Sequence, residues 1–200
     1  PLTMRQTLVA AAQAGVAIGA HPGYADRAGF GREARQLPAP QVFAEVLYQV
    51  GALQALCRAE GVRLVHVKPH GALYNQAARD PQLARAIARG VRRLGGGVTL
   101  VGLSTSSAFR EAAALEGVGF AGEAFVDRAY EGDGRLAKRG TAGAVFDNPE
   151  AAAAQAVSIA TAGRVTTRDG SSVEVSAQTL CLHGDNPNAL DIARAVRVAL

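Results

Sequence analysis

With 200 residues, 48% hydrophobic and 19% charged, the chain has the makeup of one globular domain with a sizeable core, which excludes a disordered chain. Its formal net charge is +4, but arginines such as Arg85, Arg89, Arg92 and Arg93 are spread along helical stretches without interleaved aromatics, which argues against nucleic-acid binding. The apolar runs are short and broken, so no signal peptide or membrane span is read, and the two cysteines, Cys57 and Cys181, read as free buried thiols of a cytoplasmic protein.

In chain order, helix and strand alternate. Thr3 is placed to cap a first helix over 3–14, which Gly15 stops, and 16–20 reads as a short buried strand. Residues 21–40 are rich in glycine and proline and too long for a plain connector, which makes them a candidate functional loop. Val42, Val46, Leu53 and Leu56 recur at helical spacing within 41–60, and Gly61 closes that helix. A strand over 62–67 runs into Lys68-Pro-His-Gly71, and the helical region that follows, to 94, restarts at Asp80-Pro81. Next come a strand over 98–102, a helix over 106–116, an extended stretch over 120–126 and a polar, glycine-rich loop over 127–143. Asp147 or Asn148 caps an alanine-rich helix that ends near 162. Alternation about Asp169-Gly170 predicts a β-hairpin within 164–175, followed by a strand over 179–183 and a helix over 187–200. Such strand–loop–helix units predict a single α/β domain over 1–200, a parallel sheet or barrel with the hairpin inserted.

The chemically interesting residues follow strands. His21, Lys68 and His70, Asp127, and His183 with Asp185 all come just after predicted strands, and Glu123 flanks one. Parallel α/β folds present the C-terminal ends of their strands on one face, so these groups are expected to converge there. His66, inside its strand, reads as a packed and hydrogen-bonded residue. His21 precedes Pro22-Gly23 and reads either as a turn contact or as part of the site. The Lys68-Pro-His-Gly71 bend, which projects a charge and an imidazole together, is the strongest candidate. Asp185 reads either as a helix cap or as a neighbour of N–H groups that hold an anion. For Asp26, Arg27 and Arg32, and for Asp127, Arg128, Tyr130 and Glu131, surface ion pairs are the ordinary alternative. No HxxxH or HxxEH spacing marks a local metal motif, and a divalent metal is left open.

Taken together, Gly19-Ala-His-Pro-Gly-Tyr-Ala-Asp-Arg-Ala-Gly-Phe-Gly-Arg32, Val67-Lys-Pro-His-Gly-Ala-Leu-Tyr-Asn75 and His183-Gly-Asp-Asn-Pro187 resemble the LamB/YcsF family, the A subunits of bacterial 5-oxoprolinase. Glu123-Ala-Phe-Val-Asp-Arg-Ala-Tyr130 and Thr179-Leu-Cys-Leu-His183 extend the match from Pro1 to Leu200. The resemblance implies an irregular (β/α) barrel of the glycoside hydrolase/deacetylase type. The family's opening Asp/Asn-rich strand and its Cys-Gly-Phe-His-Ala-Gly-Asp-type motif have no counterpart, so the barrel is expected to lack its N-terminal strands.

The activity the resemblance implies is ATP-dependent conversion of 5-oxo-L-proline to L-glutamate, with ATP as co-substrate and with B and C subunits as partners; a homo-oligomer is left open. On that reading His70 is the general base on water, Lys68 offsets negative charge, and Arg27 or Arg32 holds the substrate carboxylate. His21 and Asp127 join the catalytic set, and Tyr74, Asn75, His183 and Asp185 the substrate-binding set. A metal-dependent amidase or polysaccharide deacetylase, and a non-catalytic ligand-binding or scaffolding protein, are the alternatives.

Overall fold

The computed structural model describes residues 1–95 and 97–200, which divide into two compact units: 1–102 with 106–120, and 103–105 with 121–200. Short apolar strands and longer helices alternate through both.

In the first unit, α1 (Leu2–Gln13), β1 (Ile18–Ala20), α2 (Ala39–Ala59), β2 (Leu64–Val67), α3 (Gly71–Ala77), α4 (Pro81–Leu94), β3 (Thr99–Leu103, its last residue excepted) and α5 (Ser107–Glu116) follow one another. The strands β1, β2 and β3 lie side by side and parallel, with Ala20 opposite Val67 and Val67 opposite Leu100. Helix α2 packs against β2 and buries Val42, Val46, Val50 and Cys57 along one stripe. Leu53 and Leu56, expected on that stripe, are only half-buried. Helix α4 packs close to α2: a Cβ at Gly90 would stand 2.9 Å from Val46 Cγ1.

The cap signals behave unevenly. Asp80 Oδ1 accepts the N–H groups of Gln82 and Leu83 at 2.9 and 3.2 Å, and Ser106 Oγ accepts from Phe109; each such cap contributes about 1 kcal/mol. Thr3 is not a cap: α1 starts at Leu2, behind Pro1. Helix α2 starts at Ala39, inside the expected loop, because Pro40 sits in a first turn where its missing N–H costs nothing.

The second unit carries β4 (Phe120–Phe125) from its second residue on, α6 (Pro149–Ala162), β5 (Arg164–Thr166), β6 (Ser172–Glu174), β7 (Thr179–Cys181) and α7 (Ala189–Ala199). β4 and β7 pair in parallel, with Phe125 opposite Cys181, and successive β4 residues from Gly122 to Phe125 are buried, as in parallel sheets covered on both faces. Val126, Ala152, Ala156 and Ile192 form the core between this pair and the two helices. Asn148, rather than Asp147, caps α6 by accepting the Ala151 N–H at 2.7 Å. β5 and β6 make the expected antiparallel hairpin. At its turn the exposed Asp169 carboxylate accepts bonds from the Thr167 and Ser171 hydroxyls, which lower its pKa to about 2. Both cysteines are buried and free.

Candidate active site

Parallel pairing sets up two clusters by the same arithmetic. Ala20 and Val67 are register partners at the ends of β1 and β2, so the next residues, His21 and Lys68, come out together. Phe125 and Cys181 are partners at the ends of β4 and β7, so Asp127 and His183, each two residues further on, also meet.

In the first cluster, His21 Nδ1 lies 2.6 Å from the Lys68 carbonyl and its Nε2 lies 3.0 Å from His70 Nδ1. His70 Nε2 reaches the Phe30 carbonyl at 2.7 Å. The rings meet edge to face, with centroids 4.8 Å apart and planes at 74°. The bend that delivers His70 depends on glycine. Gly71 has φ +56° and a Cβ there would collide with the Gly31 backbone, whose carbonyl accepts the Ala72 N–H at 2.9 Å. Lys68 Nζ stands over the Tyr74 ring, 6.0 Å from its centroid.

The loop behind His70 is well anchored. The Gln49 amide bonds both the N–H and the C=O of Gly23, and the Gln76 amide does the same for Arg35. Asp26 accepts the Gly29 N–H at 3.0 Å and pairs with Arg35 at 3.3 Å, and its other oxygen, Oδ2, is buried without a hydrogen bond. Phe30 has φ +54°, unusual for a residue with a side chain, and this conformation accompanies the presentation of its carbonyl to His70. Arg32 lies over the Phe30 ring at 5.0 Å, and Arg27 is exposed.

The second cluster is a carboxylate–imidazole dyad. Asp127, fully buried, accepts the His183 backbone N–H at 3.0 Å and its Nδ1–H at 2.9 and 3.0 Å. Burial pushes the Asp127 carboxyl up, but the hydrogen bonds and charge of His183 outweigh it and hold the carboxyl below its ordinary value. Because Asp127 takes the proton side of Nδ1, a neutral His183 ring carries its lone pair on Nε2. The side chain is 22% exposed, and its ring stacks on Phe125 with centroids 5.5 Å apart. Neighbouring groups are structural: Tyr130 Oη accepts the Phe125 N–H, burial pushes its phenol up, and buried Arg128 donates to the Ala144 and Ala137 carbonyls.

His21, Lys68 and His70 are thus brought together, and so are Asp127 and His183. Tyr74 is buried against Phe109 rather than presented to solvent, whereas Asn75 is exposed on α3. Asp185 is exposed and does not cap α7, which starts later than expected, behind Asn188. His66 is a packing residue, its ring filling the space that a side chain at Gly19 would need. Sequence reasoning missed Phe30, because it takes part through its carbonyl, and Gln155, whose amide bonds the Phe125 and Arg128 carbonyls. Among the described residues no group of three or more His, Cys, Asp or Glu is arranged to hold a metal ion, and no helix is long and apolar enough to cross a membrane.

The sequence model of the LamB/YcsF family matches residues 1–200. The 5-oxoprolinase A subunit of Erwinia tasmaniensis is 50% identical over 197 residues, covering 98% of this chain and 80% of the relative. That of Heliobacterium modesticaldum is 50% identical over all 200 residues, covering 78% of the relative. The crystal structure of a lactam utilization protein from Thermus thermophilus superposes with a TM-score of 0.90 at 46% identity, covering 98% of this chain and 78% of that one. The expected α/β fold class is borne out by that match.

Proposed function

The chain belongs to the LamB/YcsF family, and on that premise we propose that it is the A subunit of an ATP-dependent 5-oxoprolinase, working with B and C subunits to open the lactam of 5-oxo-L-proline to L-glutamate. The observation that carries this reading is 50% identity across the whole chain to proteins named as the A subunit of 5-oxoprolinase. The two buried free thiols fit a cytoplasmic setting.

A lactam is a poor electrophile with a poor leaving group. Phosphorylation of its amide oxygen by ATP makes the carbon open to water, and that chemistry needs a proton acceptor and positive charge. His183 is the better acceptor: Asp127 fixes its Nδ1–H, which leaves Nε2 for the proton of water. Both ring nitrogens of His70 are already engaged, so His70, with His21 and Lys68, serves the anionic groups instead. Arg27 or Arg32 is the candidate partner of the substrate carboxylate.

The test is turnover of 5-oxoproline and ATP by the chain combined with its partner subunits. Glutamate formation that requires ATP and all subunits is expected. ATP-independent turnover abolished by a chelator would point to a metal-dependent amidase. Turnover unimpaired by substitution of both Lys68 and His183 would point to a scaffold.

A further inference from the structure

We propose that His21 and His70 hold a single proton between them, so that the pair carries one positive charge at neutral pH. This follows from the geometry around four ring nitrogens and does not depend on the substrate. The Lys68 and Phe30 carbonyls can only accept hydrogen bonds, so His21 Nδ1 and His70 Nε2 must each carry a hydrogen. The other two nitrogens, His21 Nε2 and His70 Nδ1, face each other at 3.0 Å. If both rings were neutral, each would point a lone pair at the other across a hydrogen-bonding distance. Flipping either ring relieves this only by replacing a nitrogen with a carbon at a carbonyl, which forfeits a hydrogen bond. One added proton removes the conflict: it bonds covalently to one inner nitrogen and is accepted by the other, giving an imidazolium–imidazole pair.

The 3.0 Å separation is that of an N–H···N bond. Two imidazoles cis to each other on an octahedral ion, each roughly 2.1 Å from it, would stand equally close, and chelation separates the two cases. Charged and titratable groups on the surrounding elements include His66 and Lys68 of β2 and its end, Tyr74 of α3, and Tyr24, Asp26, Arg27, Arg32, Glu33 and Arg35 of the loop. Lys68, Arg27 and Arg32 oppose an extra charge on the pair. Asp26 and Glu33 favour it, though Asp26 is partly answered by Arg35. Both backbone carbonyls direct their negative ends at the outer N–H groups, which stabilises the cationic form from each side. The charge on the pair adds to that of Lys68 at the ends of β1 and β2, a pattern suited to an anionic group.

Long-range proton–nitrogen correlation spectra of the 15N-labelled chain, treated with chelator and titrated from pH 5 to 9, test this. At pH 7.5 an ordinary histidine is about nine-tenths neutral. The expected result there is protonated outer nitrogens and two inner nitrogens with shifts between protonated and lone-pair values, the proton leaving the pair in one step. In His70→Gln, His21 should then titrate as an ordinary imidazole near pH 6.5. Inner nitrogens that both show lone-pair shifts at pH 7.5 would overturn the proposal, as would spectra that change when metal is removed or a His21 titration unaltered by the substitution. If the variant does not fold, the wild-type spectra alone decide.

Discussion

The two clusters put the same side chain to opposite uses. In the first unit, neutral backbone carbonyls hold the outer nitrogens of His21 and His70, and the rings face each other. In the second, a buried carboxylate holds His183 by both its backbone and its ring N–H, and Nε2 makes no hydrogen bond among the described residues. A histidine's role is set by what its second nitrogen touches. The first arrangement consumes lone pairs to bind a proton, whereas the second keeps one lone pair in reserve for a proton in transit.

The sharpest way to break this contrast is to remove the carboxylate. Asp127→Asn preserves size but offers an amide to Nδ1 and unfixes the tautomer. Turnover in the full complex should fall by about a hundredfold or more, and a fall below about threefold would show that His183 needs no such partner. A backbone test of the first cluster ranks next. Gly71→Ala sets a Cβ against the Gly31 backbone at positive φ and should cost more than about 1 kcal/mol in denaturant unfolding. It should also disturb the His21 and His70 signals while leaving those of His183 in place; a neutral effect would mean the bend is not built on glycine.

The clusters should also separate by pH. Because the folded Asp127 carboxyl lies below its ordinary value of 3.8, its contribution to stability is fully present above that value. It is lost as pH falls through the lower, folded one. Wild type should therefore lose more stability than Asp127→Asn as pH falls below 3.8, and parallel curves there would contradict the sign. The smallest effect is expected at the hairpin. Asp169→Asn removes an exposed acceptor with a pKa of about 2 and should leave turnover within about twofold and stability within about 0.5 kcal/mol, as for surface changes generally.

Much of the fold is legible in the sequence because local signals are strong there. Asp80-Pro81, Asn148-Pro149 and Asp169-Gly170 mark turns and caps through short-range chemistry, and the apolar strands between them leave little choice of topology. Strand-end position alone points to His21, Lys68, His70, Asp127 and His183, because parallel register delivers residues of equal offset to the same place. What a sequence does not carry is which atoms face which. The engagement of both His70 nitrogens depends on a carbonyl at Phe30, forty residues away, and carbonyls leave no mark in side-chain patterns. Tyr74 and Asp185 depart from expectation for a related reason: an exposed and a buried residue look alike when the helix face or the helix start is displaced. By contrast Arg85, Arg89, Arg92 and Arg93, spaced to share one face of α4, line one hollow with Leu115 and Glu116.

The most direct measurement is 5-oxoproline turnover by the chain carrying His183→Gln, reconstituted with its partner subunits and ATP and compared with wild type across pH. A loss of about a hundredfold or more across the pH range is predicted. Turnover within about threefold of wild type with an unchanged profile would contradict it.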